Sequence, residues 1–208
     1  MRRASQPAAM TDVLIPGARD VRGTLDGLAL DPDAVVVACP PHPQHGGSRR
    51  DRRLLAVSEA LVERGIACLR IDYGEWDDGY GEREDVRNAI RWAADRHDRV
   101  GVFGYSFGAS QSLLASATVD RNVGAVAALA PTASLGPDLE VGPALEALDA
   151  PVQVCYGERD TTVDWRPVVE RVRERGGEVV ACSADHFFVG QDAKVARAVG
   201  DFFGRTLG

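Results

Sequence analysis

The sequence predicts an α/β chain: a mostly parallel, doubly wound sheet with helices on both faces. Three observations carry this. Short continuous apolar runs recur along the chain, amphipathic stretches of helical period separate them, and the runs lack the strict alternation of a sheet wetted on one side. At 208 residues, 45% hydrophobic and 26% charged, there is material for one full-sized domain.

Residues 1–10, which span the only two methionines, show no periodicity and are assigned to a disordered leader or a start placed too early, ahead of a single domain over 11–208. A weaker strand, paired antiparallel at the sheet edge, is expected around 20–29. Strands follow at 34–39 (AVVVAC), 66–71 (IACLRI), 99–104 (RVGVFG), 124–130 (GAVAALA), 152–156 (VQVCY) and 178–182 (EVVAC). Leu54, Val57 and Leu61 mark one helix face. Val86, Ala89, Ile90 and Ala93 mark a second at i, i+3, i+4, i+7, with Glu82 and Glu84 at its positive end. A helix rich in small residues starts at Ser106, short helices fit 139–148 and about 166–175, and Val195, Val199, Phe202 and Phe203 mark the last. His97 is read as a cap on the negative end of the helix that begins near 82.

Thirty-one acidic against 24 basic residues give a net charge of −7. A basic stripe for nucleic acid or an anionic membrane is therefore not expected. No apolar run reaches the ~18 residues of a membrane helix, and no signal-peptide core follows the Arg-rich start. Lys194 is the only lysine beside 23 arginines, a bias that fits either a salt-adapted surface or a GC-rich genome. Cys39, Cys68, Cys155 and Cys182 each lie at or near the end of an apolar, β-branched run (VVVAC, IACLR, VQVCY, VVACS) with no CxxC spacing, as buried, reduced thiols of a cytoplasmic protein do.

The segment most informative about chemistry is Gly104-Tyr105-Ser106-Phe107-Gly108, a G-x-S-x-G directly after an apolar strand and directly before a helix. The chain reverses there in almost no length, which strains the serine backbone and exposes its hydroxyl; the glycines remove side chains that would collide. Ser106 is therefore the candidate nucleophile. A serine hydroxyl needs a histidine base oriented by a carboxylate, and on this arrangement the chain order is Ser, acid, His. Of the four histidines only His186 follows Ser106. For the acid, Asp160, in the loop after 152–156, is favoured over Asp164, and the 26 residues from Asp160 to His186 hold a helix, a strand and a loop.

The oxyanion donors are expected to be the backbone N–H of Phe107 and one from the loop Cys39–Ser48. Prolines carry no N–H, so across Pro40, Pro41, His42 and Pro43 only His42 can donate. Cys39, His42 and His45 recur at three-residue intervals, but a fourth ligand is not evident; no metal and no cofactor is expected.

With PHPxxGGS at Pro41–Ser48, GYSFGA at Gly104–Ala109, GExDxxV at Gly157–Val163, ADHFFxG at Ala184–Gly190 and the acidic, glycine-rich Gly74–Val86, the chain resembles the small, lidless serine hydrolases of the α/β-hydrolase superfamily, near the dienelactone-hydrolase-like proteins. The resemblance runs over roughly residues 25–205. It implies the α/β-hydrolase fold without a cap domain and a triad of Ser106, Asp160 and His186. Dienelactone hydrolases proper carry a cysteine where this chain has Ser106, and the stretch between Ile71 and Gly74 is shorter than in relatives.

About twenty residues separate the strand ending at Ala130 from the one near Val152, room for one short helix and no lid. An open, shallow site for small acyl groups is expected. Trp76, Tyr80, Tyr105 and Trp165 fall on segments at that edge and are candidates to line the acyl pocket. The acidic run Asp77, Asp78, Glu82, Glu84 and Asp85 is read as a solvated loop and helix start. The expected activity is hydrolysis of small-molecule esters or thioesters through an acyl-enzyme; a peptidase or acyltransferase on the same triad, and a non-catalytic binding module of the same fold, are the alternatives.

Overall fold

The computed structural model describes residues 10–27 and 31–208. The leader expected over 1–10 lies outside the described residues except for Met10, which opens the first strand.

The chain runs β1 (Met10–Ile15), β2 (Val21–Asp26), β3 (Ala34–Cys39), α1 (Arg52–Val62), β4 (Ala67–Asp72), α2 (Tyr80–Ala94), β5 (Arg99–Tyr105), α3 (Phe107–Ser116), β6 (Ala125–Leu129), α4 (Val141–Ala147), β7 (Val152–Gly157), α5 (Arg166–Glu174), β8 (Glu178–Cys182) and α6 (Asp192–Thr206). The strands form one eight-stranded sheet in the order β1-β2-β4-β3-β5-β6-β7-β8. β2 pairs antiparallel with β1 and β4, and every other pairing is parallel. This is the α/β-hydrolase fold.

The apolar runs become strands because both their faces are covered. In β3, Val35, Val37 and Cys39 point into a core shared with α2, α3, α4 and α5. Ala34, Val36 and Ala38 point into the opposite core, under α1 and α6, as the two-residue period of a strand requires. α3 is buried along its whole length, which accounts for its small residues and its lack of a polar face. β1 departs from the expected pattern. It is an edge strand whose side chains are exposed from Met10 to Asp12 and again at Leu14, with only Ile15 fully buried, so its apolar signature is confined to its last residues. His97 also departs: its Nδ1 lies 2.9 Å from the carbonyl of Pro32, so its ring ties the helix to the segment before β3 rather than capping α2.

No described helix is long and apolar enough to cross a membrane. All four cysteines are free and buried, and burial pushes the thiols of Cys39 and Cys68 up to about 12, which keeps them protonated and inert.

Candidate active site

The carboxyl ends of β3, β5, β6, β7 and β8 converge on Ser106. The turn from β5 into α3 puts Ser106 at φ 56°, ψ −119°, a conformation that L side chains rarely adopt and that a rigid surround must hold. Its N–H donates to the carbonyl of Leu129 (2.8 Å), and its carbonyl accepts the N–H of Ala109 (2.9 Å). A Cβ on Gly104 would overlap the Gly108 carbonyl, and one on Gly108 would overlap the carbonyls of Cys39 and Pro40. The two glycines let strand, helix and proline loop approach at backbone distance.

Ser106 Oγ lies 2.9 Å from His186 Nε2, and His186 Nδ1 lies 2.7 Å from Asp160 Oδ2. The Asp160 side chain is wholly buried, and its Oδ1 accepts the N–H of Thr162 at 2.8 Å. A carboxylate only accepts, so Nδ1 carries the imidazole proton and Nε2 faces the serine with a lone pair. Two loops make this meeting possible. The N–H of Arg159 donates to the Ala184 carbonyl at 3.0 Å, and a Cβ on Gly157 would stand 2.6 Å from that same carbonyl. Asp164, the other acid considered, is exposed.

His42 stands at the turn of the proline loop. Its carbonyl accepts the N–H groups of His45 (3.0 Å) and Gly47 (3.1 Å), and its Nδ1 accepts the Gln44 N–H at 3.3 Å. Its ring packs against Trp76, Phe107 and His45, at centroid distances of 4.6, 4.9 and 4.5 Å. Partial burial and then the neighbouring His45 lower its pKa, which favours a neutral ring. The backbone N–H groups of His42 and Phe107 have no acceptor among the described residues. Both amides therefore remain available at the site, one on a rigid loop and one at the positive end of α3.

A cleft of about 690 Å³ opens over Ser106. One wall is apolar, with Leu135, Val163 and Phe107; the other is polar, with His45, Asp51 and Arg53. The pocket aromatics need correction. Only Tyr105 borders the cleft, and its hydroxyl is engaged by the carbonyl of His186 at 2.9 Å. Trp165 is turned under the acid loop, stacked on Tyr156 and donating to the Asp160 carbonyl at 3.1 Å. Trp76 lies behind His42 and Phe107, and Tyr80 donates outward to the Pro137 carbonyl at 2.6 Å. An aromatic residue near the right edge does not reveal which way its ring turns. Leu135, Asp51 and Arg53, which do border the cleft, gave no warning in the sequence beyond an Asp placed to cap α1.

Of the acidic run, Asp77 and Asp78 are exposed as expected and Glu84 is partly exposed, but the other two members are not solvated. Glu82 and Asp85 are fully buried. Glu82 accepts the N–H groups of Asp77 (2.9 Å) and Gly79 (2.8 Å). Asp85 accepts the Gly74 N–H (2.9 Å) and pairs with Arg19 at 2.7 Å. These carboxylates pin the loop that holds Trp76 against His42. Burial raises the Asp85 pKa, against the opposing pull of Arg19. The segment linking β6 to β7 carries only α4, so the site has no lid there.

Comparison with known proteins adds the following. Residues 39–149, just over half of the chain and including Ser106, match the family model described as X-Pro dipeptidyl-peptidase (S15 family). The quorum-quenching protein AidA of Acinetobacter baumannii is 37% identical over 100 residues, covering 41% of this chain and 32% of AidA. The chain thus matches about a third of the length of that curated relative. A serine hydrolase without lid from Xanthomonas campestris, XC6422, superposes with a TM-score of 0.77 at 21% identity, over 98% of this chain and 97% of the other. Est1E from Butyrivibrio proteoclasticus gives 0.82 at 18% identity, over 94% and 98%. The esterase Pf2001 of Pyrococcus furiosus gives 0.82 at 19% identity, over 97% and 92%. At these identities the structural likeness establishes the fold. The narrower likeness to dienelactone-hydrolase-like proteins remains one of motifs.

Proposed function

Since the chain belongs to the X-Pro dipeptidyl-peptidase (S15) family and is an α/β-hydrolase, we propose that it is a serine hydrolase that cleaves carboxylic esters or thioesters of small acyl groups. The observation that carries the proposal is the unbroken chain from Ser106 Oγ through His186 to the buried Asp160, at 2.9 and 2.7 Å, beneath an open cleft. Ser106 attacks the acyl carbon while His186 Nε2 takes its proton. Asp160 holds the tautomer and stabilises the imidazolium, and the amides of Phe107 and His42 receive the oxyanion. The imidazolium then protonates the leaving alcohol or thiol, and water, activated by His186, releases the acid. Water reaches this uncovered cleft freely, which favours hydrolysis over transfer to a second acceptor.

The family name raises a second reading, removal of an N-terminal X-Pro dipeptide. That reaction needs a carboxylate to hold the free ammonium of the peptide. Asp51 is the carboxylate on the cleft wall, and it is already engaged by Arg53. The ester reading therefore fits the cleft better. A series of p-nitrophenyl acetate, butyrate, octanoate and laurate tests it beside alanyl-prolyl p-nitroanilide. The expected result is the highest kcat/KM for acetate or butyrate, falling at least about tenfold by laurate, with slower release from the anilide. A preference for laurate contradicts the open-site reading, and faster release from the anilide contradicts the ester reading.

A further inference from the structure

A partly buried cation beside a catalytic serine ordinarily awaits an anionic substrate. Arg53 is such a cation: its side chain is 12% exposed and borders the cleft. Its nitrogens, however, already serve acceptors of the protein. Nε donates to Asp51 Oδ1 at 2.8 Å, Nη2 donates to Asp51 Oδ2, and Nη1 donates to the Phe187 carbonyl at 3.0 Å. Arg52 Nη2 reaches the same carbonyl at 3.1 Å. The Arg53 guanidinium also lies over the ring of Tyr105, 4.1 Å from its centroid, and the hydroxyl of that ring holds the His186 carbonyl. Asp51 is fixed in turn, because it caps α1 by accepting the Arg53 N–H at 2.9 Å.

Two consecutive carbonyls of the histidine loop, those of His186 and Phe187, are thus held by one unit built from the start of α1 and the end of β5. The loop needs such a hold. The next residue, Phe188, sits at φ 51°, a strained conformation for a bulky side chain.

We propose that Arg53 is a positioning residue for His186: its planar fork, clamped by Asp51 and laid on Tyr105, keeps the loop where the imidazole bridges Ser106 and Asp160. The proposal rests on the reading of those three residues as the triad. Arg53 acts through the backbone of the base loop and makes no contact with the substrate. Lysine cannot replace it, since one ammonium does not reproduce three directed donors in a plane.

The test uses the full chain with Arg53→Ala and Arg53→Lys. Each is assayed for kcat and KM on p-nitrophenyl acetate and examined by proton NMR for the downfield resonance of His186 Nδ1–H bonded to Asp160. A displacement of the imidazole by about 1 Å costs on the order of 10²-fold, so kcat should fall about 10- to 100-fold with KM changed less than about twofold. The resonance should broaden or disappear, and added guanidinium should restore part of the activity of Arg53→Ala. If Arg53→Ala does not fold, Arg53→Lys, which keeps the stem and the charge over Tyr105, carries the same readouts. Unchanged kcat and resonance overturn the proposal. A raised KM with kcat retained also overturns it, by making Arg53 a substrate ligand. A wild type that shows the resonance but cleaves no ester refutes the ester reading alone, and the resonance in the variants then decides the role of Arg53.

Discussion

Asp160→Asn is expected to lower kcat/KM by about 10⁴-fold while shifting Tm by no more than a few degrees. The change is nearly isosteric, so its effect comes from hydrogen bonding. Asp160 now accepts on both oxygens, from His186 Nδ1–H at 2.7 Å and from the Thr162 N–H at 2.8 Å. An asparagine has one oxygen and one NH₂. If the oxygen stays with Thr162, the NH₂ faces Nδ1, which must become an acceptor. The proton then moves to Nε2, and the ring can no longer take the proton of Ser106. Rates on p-nitrophenyl acetate, with a thermal melt beside them, check this. A loss below about tenfold would move the acid role to another carboxylate, with Asp164 the next in sequence.

Gly104→Ala is expected to destabilise the fold by about 4 kcal/mol or more, a fall in Tm of about 10 °C for a domain of this size. The new methyl would overlap the Gly108 carbonyl and stand 2.5 Å from Ser112 Oγ. Neither can retreat, because α3 is buried on every side and Ser112 already donates to the Gly108 carbonyl at 2.7 Å. Gly204→Ala in α6 is the control, since a Cβ there meets only the Arg64 side chain, at an ordinary contact distance of 3.5 Å; its effect should be neutral or stabilising by up to about 1 kcal/mol. Equal melting temperatures for the two variants would mean that the elbow tolerates strand–helix separation.

Both residues were legible in the sequence, and the reason is physical. Strands covered on two faces are largely apolar, so β3 to β7 announce themselves, with Arg70 in β4 and Gln153 in β7 as buried polar exceptions. The elbow has a spacing dictated by sterics, and the chain order of serine, acid and base left one histidine and two nearby aspartates. What was not legible depends on long-range placement. β1 buries only Ile15 and part of Val13 on its inner face and is otherwise exposed, so it reads as loop. Glu82 and Asp85 look solvated because their partners, Arg19 and the amides of the loop over 74–79, are found only after the chain folds back. Trp165 sits five residues from Asp160, yet whether its ring enters the cleft or supports the acid loop depends on Tyr156, against which it stacks. Arg53 reads as one more charged residue on a helix, because the carbonyl it holds lies 134 residues away.

The central claim is that Ser106 is a nucleophile activated by His186. Its most direct test is the intact mass of the protein after treatment with a fluorophosphonate, wild type beside Ser106→Ala. A single phosphonyl adduct on the wild type, mapped to the peptide that contains Ser106, and none on Ser106→Ala is the predicted result. An unmodified wild type, or equal labelling of the two proteins, would contradict it.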